Sequence, residues 1–133
     1  MIKRTVTYTD LITSEEVTED LYFHLNKAEV LRIVGRAKGD WEEYVKSIVD
    51  TGDTDVILDF LESIIKQAYG QRSEDGRTFR KDKEQSEDFM ESEAYAELFV
   101  TFLQDPDSVE TFFRGVVGDH GSVAPTAVKK GKK

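Results

Sequence analysis

Polar and apolar residues alternate from the start of the chain. Ile2, Val6 and Tyr8 face one way against Lys3, Thr5, Thr7 and Thr9, with Arg4 the one exception on the apolar side. Val17, Leu21, Phe23 and Leu25 repeat the period against Thr18, Asp20, Tyr22 and His24. A period of two marks strands with one covered face. The polar stretch Asp10 to Glu15 joins the runs without an Asn-Gly signal. Ile2 to Leu25 therefore reads as an antiparallel β-hairpin.

Beyond Asn26 the period lengthens to that of helices. Asn26 is suited to cap a short helix from Lys27 to about Arg36, with Ala28, Leu31 and Val34 inward. Past Gly39, Asp40 opens a second helix with Trp41, Tyr44, Val45, Ile48 and Val49 inward, and Gly52 ends it. Asp53 or Thr54 caps a third. Its apolar positions, from Val56 and Ile57 through Phe60, Leu61, Ile64 and Ile65 to Ala68 and Tyr69, form a stripe wider than a one-sided surface helix needs. That helix is expected at the centre, beneath the hairpin, with Gly70 as its stop. Residues 71–83 form a charged loop or tiny hairpin around Asp75-Gly76, and a short helix covers Ser86 to Met90.

Ser92 to Val117 holds two more stripes. Tyr95, Leu98, Phe99, Phe102 and Leu103 occupy one helical face, and Val109, Phe112, Phe113, Val116 and Val117 occupy another. Asp105 as N-cap and Pro106 at the first helical position separate them, giving a helical hairpin. The last helix is expected to have packing partners on one side only. Val109, Phe112, Phe113 and Val116, with the Phe79 loop beside them, are therefore the candidate partner-binding or self-association surface. The competing reading makes this helix a plain cap on the core. The architecture expected is α+β: one domain over residues 1–118, a hairpin packed on about five helices, then a disordered Lys-rich tail at 119–133.

Composition narrows the function. The formal net charge is −9, and His120 to Lys133 contribute four Lys and no acid, so the other 119 residues carry 14 basic against 27 acidic side chains, a balance of −13. Such a body repels phosphate backbones, which argues against nucleic acid as partner. No apolar run is long enough for a bilayer span and no secretory h-region follows Met1, so a soluble intracellular protein is expected. The chain has no Cys and two His, His24 and His120, too little for a thiolate metal site, a Cys nucleophile or a His-based triad. His24 is expected as an exposed strand residue. The acids of "DTGDTD" at 50–55 are out of register with a calcium loop and read as one helix end and the next cap. The pairs Glu15-Glu16, Glu19-Asp20 and Glu42-Glu43 fall on solvent faces, where carboxylates lack the apolar walls that separate catalytic pKa values. The expectation is a non-enzyme with no metal and no cofactor.

Four stretches in order, "MIKRTVTYTD", "TEDLYFHLNKAEV", "AYGQRSEDGRTFRKD" and "SEAYAELF", resemble the tail assembly chaperone family of long-tailed bacteriophages. The likeness runs from Met1 to about Val117, carried by order and spacing rather than by a mechanistic motif. It implies a small acidic α+β protein that binds the phage tape measure protein in the host cytoplasm, before the tail tube polymerises, and is absent from the mature virion. It also implies a longer, frameshifted form of the chain as a partner. The Lys129-Lys130 and Lys132-Lys133 pairs are compatible with slippery adenine runs, and self-association into a homo-oligomer stays open. The rival readings are a structural tail or connector component and a small regulatory protein-binding module.

Overall fold

The computed structural model describes residues 1–35 and 40–118. Its elements are β1 (Ile2–Thr9), β2 (Glu16–Phe23), α1 (Lys27–Val34), α2 (Trp41–Val49), α3 (Thr54–Ala68), β3 (Tyr69–Arg72), β4 (Phe79–Arg80), α4 (Lys83–Met90), α5 (Glu93–Gln104) and α6 (Pro106–Val117). The α+β class and the opening hairpin are as expected, with six helices among the described residues. Arg36, Gly39 and the tail at 119–133 lie outside them.

β1 and β2 pair antiparallel from Ile2↔Phe23 to Thr9↔Glu16. Asp10 closes the turn, its Oδ1 accepting from the Ile12 and Thr13 amides at 2.8 and 3.2 Å. Arg4, the break in the apolar pattern, places its guanidinium 5.2 Å from the centre of the Phe102 ring. A cation over an aromatic face is a favourable way to cover a charged residue at an apolar position. Glu19 departs from its expected solvent face. It is half-buried and accepts from the Tyr8 hydroxyl at 2.8 Å.

The sheet has four strands in the order β1-β2-β3-β4, the opening hairpin being joined by a second, tiny one. Gly70 is a strand residue and not a helix stop. α3 ends at Ala68 and Tyr69 turns extended, so the chain runs straight into β3 beside Tyr22 and Phe23. Gly70 is required there by close approach. A Cβ on it would meet Phe79 Cζ at 2.6 Å and the Arg80 carbonyl oxygen at 2.7 Å. Of the two readings for this stretch the tiny hairpin is the one formed, with strands β3 and β4, and it extends the sheet. His24 follows β2 half-buried, its amide donating to the Ala68 carbonyl at 2.9 Å and its ring edge-on to Phe79 at 6.4 Å.

α1, α2 and α3 start where their caps predict, while α4 begins three residues before the expected Ser86, capped by Asp82. Asn26 and Glu29 form a reciprocal capping box, and Asp40, Asp53 and Ser92 each accept from amides of their first turns. Asp105 makes no side-chain cap bond; Pro106 still opens α6 and Ser108 bonds back to the Asp105 carbonyl. α1 is rotated from its expected face, burying Val30 and Val34 while Ala28 and Leu31 are exposed. Val49 of α2 is likewise exposed.

The hairpin's apolar face rests chiefly on α5, with α6 and the end of α3 beside it, rather than on α3 alone. Phe23 is the hub, with ring centres at 5.2 Å from Phe112, 5.9 Å from Tyr69 and 6.0 Å from Phe89. Tyr69 stacks on Phe89 at 4.1 Å. Phe102 reaches Phe112 at 5.1 Å, and Phe113 reaches Phe60 at 5.2 Å. At the far end Trp41 is buried, its indole N–H donating to the Phe113 carbonyl at 2.8 Å, which satisfies the polar end of the largest core side chain. One continuous aromatic core therefore joins the sheet to α2–α6.

Candidate partner-binding surface

The five residues singled out from sequence do not form one patch. Phe112 and Val116 are 0% exposed and Phe113 is 2% exposed. α6 has α5 and α3 rings on its two flanks and β1 and β2 beneath, so its stripe is covered on more sides than the sequence predicted. A partner reaches these rings only if α6 lifts away. Val109 is half-buried at the first turns of α6. Phe79 is half-buried on the opposite edge of the sheet, over Gly70 and against His24.

α5 is the helix that retains uncovered apolar surface. Leu98, Phe102, Tyr95, Phe99, Leu103, Ala96 and Val100, in order around the axis, span roughly 200° of its circumference at about 100° per residue. A helix packed on one side needs little more than half of that. The fold buries Ala94, Leu98 and Phe102 against the sheet and α6, so the covered face is turned toward Ala94 from the expected stripe. Tyr95 and Phe99 are half-buried; Leu103, expected inside, is 53% exposed and Val100 is 45% exposed. Phe99, Ala96, Val100 and Leu103 form an apolar shoulder along the outside of the helix. Sequence reasoning missed Val100 altogether. Its signal was an apolar residue outside the i, i+3, i+4 stripe in a helix whose only charges are Glu93 and Glu97.

The Tyr95 hydroxyl donates to Glu62 Oε2 of α3 at 2.8 Å, tying the start of α5 to its neighbour. Burial and that carboxylate hold the phenol well above its ordinary pKa of 10.0. A second exposed apolar feature lies at the β1–β2 turn, where Leu11 and Ile12 are 75% and 94% exposed.

Polar chemistry is sparse by comparison. An open cleft of about 290 Å³ is lined by Glu29, Lys66, Tyr69, Lys81, Asp82 and Ser86 among others. Its groups are engaged with one another: Lys81 pairs with Glu29 and donates to the His24 carbonyl, and Ser86 donates to the Lys66 carbonyl at 2.6 Å. Among the described residues no group of three His, Cys, Asp or Glu is placed to hold a metal ion. No described helix is long and apolar enough to cross a membrane.

The model of the family described as Phage tail assembly chaperone matches residues 1–120. No curated protein and no solved structure gives a significant match.

Proposed function

The chain belongs to the phage tail assembly chaperone family, and from that premise we propose that it binds the phage tape measure protein and keeps it soluble while the tail is built. The observation that carries this reading is the uncovered apolar shoulder of α5 in a body whose charge is strongly acidic. A long chain with apolar helical stripes aggregates unless those stripes are covered. A helix lying along an apolar face is a recurrent way to cover them. The acidic exterior keeps the resulting complex dissolved.

The same reading puts the protein in the host cytoplasm during assembly and leaves it out of the finished virion. It requires no catalytic step and no cofactor. Phe112, Phe113 and Val116 act as the support behind the binding face, with Val109 packed on the same core at the start of α6. A longer frameshifted form and self-association remain compatible additions, both acting through protein contacts.

The test has two parts. Co-expression with the tape measure protein encoded by the same phage should move that protein into the soluble fraction and yield a complex on purification. Mass spectrometry of purified virions should find the tape measure protein and not this chain. Stoichiometric recovery of the chain from virions would instead favour a structural tail component.

A further inference from the structure

The chemistry of the α5 shoulder identifies the kind of segment it fits. Between Glu84 and Phe113 the chain carries nine carboxylates and no Lys or Arg, and all nine are exposed. Among the described residues only Glu110 of these has an ion-pair partner, Arg114. Glu97 and Glu93 lie on the flank of the helix next to Val100, about one and two turns before it and offset by roughly 60° and 20° of rotation. On the other side of the shoulder, beyond Phe99 and Tyr95, stands Glu62 of α3. Carboxylates thus border the apolar strip on both long sides, and Asp105 and Asp107 stand past its end.

We propose that the outer shoulder of α5 (Ala96, Phe99, Val100 and Leu103) is a docking face for an amphipathic helix of a partner protein, one whose apolar stripe is flanked by Lys and Arg. α5 is 12 residues long, about 18 Å, so it seats some three turns of such a helix. Apolar contact along the strip supplies affinity, and the acid borders fix partner choice by matching basic flanks and repelling acidic ones. A second copy of this chain is a poor occupant. Facing two such shoulders would set the bordering carboxylates Glu62, Glu93 and Glu97 of one copy against those of the other. The inference rests on the tape measure reading only for the identity of the partner and not for its chemistry.

The probe is a labelled synthetic 18-residue Leu/Lys amphipathic helix, with a Leu/Glu helix of the same pattern and a scrambled Leu/Lys peptide as controls. Fluorescence anisotropy with the full chain should show saturable binding of the Leu/Lys helix alone, weakened several-fold as salt rises from about 0.05 to 0.5 M. Val100→Asp and Leu103→Asp should each weaken it about tenfold or more while leaving the unfolding midpoint nearly unchanged, and Glu93→Lys with Glu97→Lys should weaken it as well. Methyl NMR should place the shifts on Val100 and Leu103.

Equal binding of the Leu/Glu or scrambled peptide, no binding, or shifts confined to other elements would overturn the proposal. So would two other occupants. Shifts of these methyls on diluting the protein alone would assign the face to a second copy. Shifts on deleting residues 119–133 would assign it to the chain's own Lys-rich end. If the probe binds here while the tape measure protein stays insoluble on co-expression, the docking face stands and that partner is wrong. If Val100→Asp abolishes probe binding yet solubilises the tape measure protein equally well, the docking face stands and the tape measure protein is not what occupies it.

Discussion

Gly115 lets α6 approach β1, and replacing it by Ala weighs two opposed effects against each other. Gly inside a helix is disfavoured by about 0.5–1 kcal/mol relative to Ala, so an unobstructed Gly115→Ala would stabilise. At this site the new Cβ would lie 2.7 Å from Ile2 Cδ1, 3.0 Å from its Cβ and 3.2 Å from its Cγ1. The terminal methyl can swing aside. The Ile2 Cγ1 cannot, because β-branching leaves χ1 little freedom, so the side chain meets the new Cβ along its length. The start of β1 must shift, and overpacking of this kind costs about 1–3 kcal/mol. The clash wins, with a net loss on the order of 1 kcal/mol. Ile2→Ala removes the two outer contacts and leaves one that a few tenths of an ångström relieves. In that background Gly115→Ala should be within about 0.5 kcal/mol of neutral, a coupling of about 1 kcal/mol. Urea unfolding of the four proteins, followed by circular dichroism, measures this directly. Equal effects of Gly115→Ala in both backgrounds, or stabilisation of the parent, would refute the packing argument.

Other changes probe the rest of the fold. Phe113→Ala should cost about 3–5 kcal/mol and lower the melting temperature by roughly 10–25 °C, because it opens a cavity between Phe60 and Phe112; a loss under about 1 kcal/mol would return that ring to the surface. Gly70→Ala should destabilise through its clash with Phe79 and Arg80, and Phe79→Ala should relieve only the ring's share, since the Arg80 carbonyl remains at 2.7 Å. Tyr95 has its folded-state pKa raised by burial and by Glu62, so the stability it contributes is complete below pH 10 and is lost as pH rises above that value. Tyr95→Phe should therefore lose stability less steeply than the parent between about pH 10 and 11.5, and parallel pH curves would contradict the assignment.

The sequence made local structure legible where one residue decides it. Asn26, Asp40 and Asp53 cap because a short side chain reaches its own amides, which needs no knowledge of the rest of the chain. The opening hairpin was equally plain from its period, and its one irregularity, Arg4, is resolved by a ring 98 positions later. What could not be read was long-range. β3 and β4 have no strand pattern, and Tyr69–Arg72 extends only because β2 offers an edge beside Tyr22 and Phe23. For the same reason Gly70 resembled a helix stop, when a ring packed from Phe79 is what demands the missing side chain. The burial of the candidate surface was hidden in the same way. Phe112, Phe113 and Val116 are as apolar as any interface, and only the placement of α3, α5 and the hairpin around them shows that they are spent on the core. The small Ala94 let α5 turn its covered face, which carried Leu103 outward beside Val100.

The claim that the α5 shoulder covers the tape measure protein is tested most directly by co-expressing that protein with the chain carrying both Val100→Asp and Leu103→Asp. Soluble tape measure protein is then quantified beside the thermal midpoint of the variant. The account predicts a folded variant, its midpoint within a few degrees of the parent, and a tape measure protein that moves to the insoluble fraction while the parent chain keeps it in solution. A folded variant that keeps the tape measure protein as soluble as the parent does would contradict it.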